Sequence, residues 1–316
     1  MTPGIESGTR SGAPEVSVCI CTFKRPALLA VLLAELERQI GPHAGVEFVV
    51  ADNDPANSAG EVLAEWAQRL PLRALHVPVP NIAAARNAVV GAARAPWLAF
   101  IDDDESPDPG WLGKLRAAQQ AYGADVVFAP VLPRYVPGTP EWLRRGGFFD
   151  RPRFASGTAI TTRDARTGNV LLRAGLVKAL GATPFDVAFG RTGAEDTVLF
   201  RQLLAGGARF VWCDDATVQE EVPLARANTG WLLRRSYRLG QTYMVSEIHE
   251  LRGAAWLRRA GFLGVRAAGQ LLVAGALTLV SWPFSRIRAF RWLRATLAQL
   301  GKLSALAGHR YHEYGG

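Results

Sequence analysis

Four consecutive carboxylates, Asp102, Asp103, Asp104 and Glu105, follow the apolar run WLAFI at 97–101 and precede the dipeptide Ser-Pro. Like charges this close repel unless a cation lies among them. Hard carboxylate oxygens suit magnesium or manganese, ions that commonly keep part of their coordination for substrate phosphates. In an extended chain Asp102 and Asp104 share one side and Asp103 faces the other, unless the strand has already turned. The bland alternative is a solvated acidic turn, or a cap for a helix beginning near Pro109. A second acidic pair, Glu195 and Asp196, opens the segment EDTVLFRQLLAGG behind the approach FGRTG. Such a pair suits general-base chemistry on a hydroxyl, or it offsets the positive end of the helix that follows. The glycines of the approach let a ligand come close to backbone.

Those acids punctuate an alternating pattern. VSVCICT reads as a buried strand, and PALLAVLLAELERQ after it as an amphipathic helix with Pro26 in its first turn. VEFVVADND is a second strand ending in acids, followed by the helix SAGEVLAEWAQRL. LRALHVP is a third strand, NIAAARNAVVGAAR a helix, and WLAFIDDD a fourth strand. Strands alternating with helices predict an α/β fold with a mostly parallel sheet. Ligands of such sheets sit beyond the carboxyl ends of the strands. Three of the four strand ends carry polar side chains there: Thr22, Lys24 and Arg25; Asp52, Asn53 and Asp54; and Asp102, Asp103 and Asp104. Residues 131–165, rich in Pro, Gly, Arg and aromatics, break the rhythm and predict a binding loop or lid.

The ordered succession VSVCICTFKRPALL, VVADNDP, NIAAARNAVVGAARAPWLAFIDDD, TGNVLLR and PFDVAFGRTGAEDTVLFRQLLAGG resembles the inverting glycosyltransferases of family 2 over residues 15–230. The resemblance implies the GT-A fold: a Rossmann-like, mostly parallel sheet flanked by helices, with a nucleotide-binding half (15–107) and an acceptor half (108–230). It implies that Thr22, Lys24, Arg25, Asp52, Asn81, Arg86, Asp102 and Asp103 bind a nucleotide-diphosphate sugar. Asp104, with Asp102, would hold Mg2+ or Mn2+ on the diphosphate. Asp196 would be the general base, and Glu195 would orient it or bind the acceptor. Thr167, Gly168 and Asn169 would line the acceptor side. Read without the resemblance, Asn81 is also a helix cap and Arg86 a surface ion-pair partner, and TGN is ordinary turn chemistry.

Two departures from the family pattern bear on substrate. A His that often completes the metal site after the Glu-Asp pair is replaced by ATVQEEVPLAR, whose Glu220 and Glu221 are either an exposed acidic pair or, through Glu221, the source of a further metal ligand. The Gln-x-x-Arg-Trp signature of processive synthases is absent, and RANTGWLLRRSYRLGQ is only loosely reminiscent of it. Single-sugar transfer is therefore expected, as in enzymes that extend lipid-linked saccharides for bacterial surface polysaccharide of the succinoglycan type. A metal-dependent nucleotidyltransferase is the rival enzyme, but CTFKRPALL lacks the glycines of a phosphate loop.

Composition bounds these readings. With 49% apolar and 20% charged residues, the chain is not of the disordered class. Cys19, Cys21 and Cys213 are too few and wrongly spaced for a disulfide framework or a zinc site. The polar first 14 residues have no hydrophobic signal region and are expected to be disordered. Residues 1–230 hold 23 Lys and Arg against 25 Asp and Glu, whereas 231–316 hold 13 against 3. A nucleic-acid-binding module is the remaining rival for that basic tail, but the long uncharged stretch AAGQLLVAGALTLVSWPFS argues against it. Arg258, Arg259 and Arg266 flank this stretch on one side and Arg286, Arg288, Arg291 and Arg294 on the other. Bases at both ends predict a re-entrant or in-plane segment at 267–285, within a helical membrane-associating region, 231–316, on an anionic membrane surface at the cytoplasmic face. The alternative is a helical appendage packed on the core.

Overall fold

The structure, a computed structural model, describes residues 12–42, 45–190 and 193–309. Most of the expected N-terminal disordered segment, and Arg191 and Thr192 of the FGRTG approach, lie outside the described residues. The first half runs β1 (Val16–Thr22), α1 (Pro26–Gln39), β2 (Val46–Asp52), α2 (Gly60–Trp66), β3 (Leu72–His76), α3 (Ile82–Ala92) and β4 (Trp97–Phe100). The second half adds β5 (Glu105–Pro107), α4 (Trp111–Tyr122), β6 (Val126–Phe128), β7 (Val131–Tyr135), α5 (Glu141–Gly146), β8 (Val170–Arg173) and α6 (Ala174–Lys178). A 3-10 turn (Val187–Phe189), α7 (Glu195–Ala205), β9 (Phe210–Trp212) and β10 (Val218–Val222) complete it.

Seven strands form the main sheet in the order β3-β2-β1-β4-β8-β6-β9, with only β8 antiparallel to its neighbours. This is the mostly parallel α/β sheet that the alternation predicts. Apart from the edge strand β3, which is partly exposed, the strands are buried on both faces because helices cover both. Along β1, Val18 and Ile20 join the core beneath α1 and α2, while Cys19 joins the core beneath α3 and α7. The free thiols of Cys19 and Cys213 are buried, and that of Cys21 is partly buried.

A second sheet, β5-β10-β7, crosses over the edge where the parallel strands end. Its β5 is the ESP segment, read from sequence as a turn; Glu105 instead lies opposite Glu220 in the antiparallel β5/β10 ladder. The cause is that β4 stops at Phe100, so the chain turns within Asp103 and Asp104 rather than after them. The interrupting region 131–165 supplies β7 and α5.

Three helices form the tail: α8 (Thr229–Ile248), α9 (Gly253–Ser281) and α10 (Arg286–Leu306). Asn228 caps α8 by accepting from Trp231 N, and Ser285 caps α10 by accepting from Arg288 N. A Cβ added to Gly240 would stand 1.9 Å from Ala298 O, and one added to Gly301 would stand 1.9 Å from Tyr237 O. The α8 and α10 backbones therefore touch at glycines. Arg291 donates to Gly146 O and Arg294 to Phe148 O, while Phe290 packs edge-on against Trp142 and Phe148. The tail is thus docked on the α/β body. Its α9 is one unbroken 29-residue helix, about 43 Å at 1.5 Å per residue, and not a re-entrant segment. It buries Ala260, Leu263, Ala267, Ala274 and Thr278 and exposes Val265, Leu272 and Leu279 at seven-residue spacing. By length and composition, with mean hydropathy 1.6 in its apolar window, α9 is a candidate membrane span.

Candidate active site

The carboxyl ends of β1, β2 and β4 open on a cavity of about 260 Å3. Thr22, Arg25, Asn53, Asn81, Arg86, Asp102, Asp103 and Asp104 form one side, and Arg151, Glu220 and Arg226 the other. The acid cluster is held from several elements at once. Thr22 Oγ1 donates to Asp103 Oδ2 at 2.7 Å, and Arg25 Nη1 donates to Asp103 Oδ1 at 3.1 Å and to Asp104 Oδ2 at 2.8 Å. Sharing one arginine, Asp103 and Asp104 do not obey the strand alternation, because both lie in the turn. Glu105 folds back so that its Oε2 accepts from Asp102 N at 3.0 Å. Gly168 lies against these acids: a Cβ there would come 3.0 Å from Glu105 Oε1 and 3.1 Å from Asp102 Oδ2.

Crowding of acids in little water raises their proton affinity. Burial pushes the Asp103 carboxyl up to about 6 against the opposing pull of Arg25 and Thr22. Burial, reinforced by Asp102, lifts Glu105 well above the carboxylate range. Glu195 is buried too and pushed up to about 7, with Arg86 opposing the shift.

Such a cluster is suited to a cation. Among the described residues no three His, Cys, Asp or Glu side chains converge as a ready-made metal cage. Magnesium and manganese sites on phosphate substrates do not need one: one or two carboxylates suffice, with phosphate oxygens completing the shell. Asp102, whose side chain is 48% exposed, and Asp104 both face the cavity as hard oxygen donors. The donor set therefore fits Mg2+ or Mn2+ shared with a diphosphate. Glu221 does not belong to it. It pairs with Arg134 at 3.1 Å on the outer side of β10, whereas Glu220, one residue earlier and on the opposite strand face, lines the cavity. Glu220 is bridged by Arg151 at 2.9 Å and Arg226 at 3.3 Å, and Arg226 stands 3.8 Å from Asp104.

Other expected nucleotide residues divide between the cavity wall and its support. Asp52 is fully buried; its Oδ1 accepts from Asp54 N and its Oδ2 from Ala59 N, so it shapes the loop after β2 and does not reach the cavity. Its neighbour Asn53 lines the wall instead. Lys24 is exposed in the left-handed region (φ 56°), its ammonium over the Phe23 ring, and is not on the wall. Asn81 caps α3 by accepting from Ala84 N and also donates to Val187 O. Arg86 is buried and ion-paired with Glu195, and its Nη2 stands 3.8 Å from Asp102.

Of the residues expected to meet an acceptor, Thr167 is buried, and Asn169 is fully buried at φ 55°. The Asn169 amide donates to Pro130 O and Ala216 O, and its oxygen accepts from Trp111 Nε1. Those bonds leave it no free polar atom for a sugar, so it is a junction between the two sheets. Glu195 and Asp196 occupy the first turn of α7, and the residue before them, Ala194, has φ 91°. A non-glycine residue held there is strained, as is common beside functional groups. Asp196 is half-buried, with Oδ1 accepting from Thr197 N at 2.7 Å. It follows Glu195 in the chain and is not on the cavity wall itself. Arg151 and Arg226 escaped the sequence reading; their signal was only their place in FFDRPRF and in VPLAR.

A mostly parallel sheet with carboxylates at the switch edge, facing a second small sheet, is the architecture of a GT-A glycosyltransferase. A mannosyltransferase from Pyrobaculum calidifontis, solved with GDP-Man and Mn2+, superposes with TM-score 0.62 over 95% of this chain and 89% of its own, at 19% identity. Staphylococcus aureus TarS 1–349 in complex with UDP-GlcNAc superposes with TM-score 0.53 over 94% and 93%, at 14% identity. At these identities the likeness is one of fold. In sequence, the succinoglycan biosynthesis protein ExoM of Rhizobium meliloti (strain 1021) is 33% identical over 252 residues, 78% of this chain and 80% of that protein. The validoxylamine A glucosyltransferase of Streptomyces hygroscopicus subsp. limoneus is 29% identical over 136 residues, 42% of this chain and 30% of that one. Residues 17–191 match the family described as Glycosyl transferase family 2, and the chain belongs to that family. It is a glycosyltransferase.

Proposed function

We propose that the protein transfers a single sugar, with inversion, from a nucleotide-diphosphate sugar to a hydroxyl of a lipid-linked saccharide during surface polysaccharide synthesis. The observation that carries this reading is the convergence of Asp102 and Asp104 on one cavity with Thr22, Arg25 and Asn53. A divalent ion bound there supplies Lewis-acid stabilisation of the departing diphosphate. Arg25 and Arg226, both beside Asp104, hold the anionic donor from either side. Asn53 and Thr22 shape the nucleoside end. Asp196 accepts the proton of the acceptor hydroxyl as that oxygen attacks the anomeric carbon opposite the diphosphate. Glu195, paired with Arg86, keeps α7 and Asp196 in register with the donor. The ExoM relationship and the unpolymerising character of the sequence support a saccharide acceptor in polysaccharide assembly.

The tail supports a lipid-borne acceptor. Leu257, Val265, Leu272, Leu279, Trp282 and Phe284 are exposed along α9 and its turn, and Arg258, Arg266, Arg286 and Arg288 are exposed around them. Apolar surface flanked by bases fits the cytoplasmic leaflet, where each base contributes about 1 kcal/mol.

The test is a nucleotide-sugar screen with lipid extract and Mg2+ or Mn2+, comparing the wild type with Asp196→Asn. Sugar should move to lipid in the first, and transfer should fall by roughly 100-fold or more in the second. Undiminished turnover in the variant removes Asp196 from the role of base.

A further inference from the structure

Helix α3 was expected to face the nucleotide, yet three of its polar residues reach the segment that leads into α7. Asn81 Nδ2 donates to Val187 O at 2.9 Å, and Ile82 N donates to Gly190 O at 3.2 Å. Asn87 makes a two-way clamp, its Nδ2 donating to Phe185 O at 2.8 Å and its Oδ1 accepting from Phe185 N at 2.9 Å. Arg86 lies over the Phe185 ring at 5.8 Å and donates to Glu195 Oε1. A Cβ on Gly190 would overlap Asn81 Oδ1, so the segment is pressed directly onto the helix. These contacts join positions about a hundred residues apart, and every one of them ends on the approach to the Glu195–Asp196 turn.

Arg86 is 8% exposed and Glu195 5%. Among the described residues the second oxygen of Glu195, Oε2, is buried with no hydrogen-bond partner, and Arg86 is the cation paired with this carboxylate. From the same guanidinium, Nη2 approaches Asp102 Oδ1. A planar guanidinium can serve two carboxylates in fixed geometry, which a lysine ammonium does less well.

We infer that Arg86 is a positioning residue for the transfer reaction: it locks the α7 acids to the metal-side carboxylate Asp102 rather than binding donor phosphate. The inference rests on the proposed role of the α7 acids. It assigns Asn81 and Asn87 to the same clamp, so that the acceptor-side acids keep their distance from the donor site whatever saccharide is bound.

The experiment uses the full chain as wild type, Arg86→Gln, Arg86→Lys, Glu195→Gln and the double variant Arg86→Gln/Glu195→Gln. Two readouts are compared: the Kd of UDP and GDP with Mn2+ by calorimetry, and kcat and KM with the nucleotide sugar that the wild type turns over in lipid extract. For a positioning residue, nucleotide Kd and donor KM stay within about threefold of wild type while kcat falls by roughly 100-fold. The double variant should then be no slower than the worse single variant, because two residues acting as one unit are not additive. Arg86→Lys should recover part of kcat by keeping the charge beside Glu195, and it carries the test where Arg86→Gln does not fold. A tenfold or greater loss of nucleotide affinity with kcat retained at saturation overturns the inference, as do fully additive losses in the double variant. Failure of the base assignment is seen separately, as undiminished turnover in Asp196→Asn with the Arg86–Glu195 coupling intact.

Discussion

Thr22 Oγ1 donates a 2.7 Å hydrogen bond to Asp103 Oδ2, tying the last residue of β1 to the turn after β4. Arg25, three residues beyond Thr22, completes the shell of the same carboxylate and extends to Asp104. The first strand end thus organises the fourth before any ligand is considered. Asp103 is a bracket for the acidic turn, while Asp102 and Asp104 line the cavity, Asp104 against Arg25 and Asp102 within reach of Arg86.

Replacing Thr22 by Val preserves shape and removes the hydroxyl. The buried Asp103 carboxylate then loses one of its donors, a change that should destabilise the protein by about 1–3 kcal/mol. Urea unfolding at neutral pH measures it, and an unmoved midpoint would show that Arg25 alone satisfies the group.

Asp104→Asn should uncouple nucleotide from metal. Wild-type affinity for UDP or GDP is expected to rise with Mn2+ and fall on adding chelator. In the variant the metal-dependent gain should shrink by at least about tenfold. Calorimetry with and without chelator reads this directly; equal affinities in the wild type under both conditions would end the metal assignment.

Glu47 gives a pH prediction outside the site. Burial alone would raise its pKa, but Ser17 Oγ, Arg94 N and Arg94 Nε all bond to it and hold it below the ordinary 4.5. A carboxyl whose folded pKa is depressed contributes stability that is in place above its unfolded value and disappears as pH falls through the folded one. Glu47→Gln should therefore lower the urea midpoint at pH 7, and its gap from wild type should close on acidification below about pH 4.5. A gap that stays constant with pH would mean that charge on Glu47 does not matter.

Two glycines test whether the tail is part of the fold. Gly→Ala in an exposed helix ordinarily stabilises by up to about 1 kcal/mol. Gly275 in α9 has nothing within 4 Å of a new Cβ and should follow that rule, whereas Gly301→Ala forces α10 off Tyr237 O. Overpacking there should cost about 1–3 kcal/mol and speed proteolysis within α10. Identical effects at both positions would mean that α8 and α10 are not in contact in solution.

Much of the architecture was legible in the sequence. The alternation of VSVCICT, VEFVVAD and WLAF with amphipathic helices announced a parallel sheet, because only strands covered on both faces read as continuous apolar runs. The acidic turn, the paired acids of α7 and the long apolar tail were equally plain. Less was visible at the level of single side chains. Asp52 looked like a ligand residue because it ends a strand, yet two backbone amides claim its oxygens and Asn53 takes the wall. Asn169 looked like a sugar contact, yet it bonds across from β8 to Trp111, Pro130 and Ala216.

Local chemistry decides element type, and sequence alone therefore determined which segments are strands and which are helices, where acids accumulate, and which stretch shuns water. Which acid faces the cavity depends on where a strand stops and on which face a residue of the second sheet falls, so that Glu220 and not Glu221 is on the wall. Which cation holds Glu195 depends on Arg86, 109 positions away. Such pairings are set by the packing of distant segments, since a buried charge is tolerated only where the fold delivers its partner, and only the tertiary structure decides that.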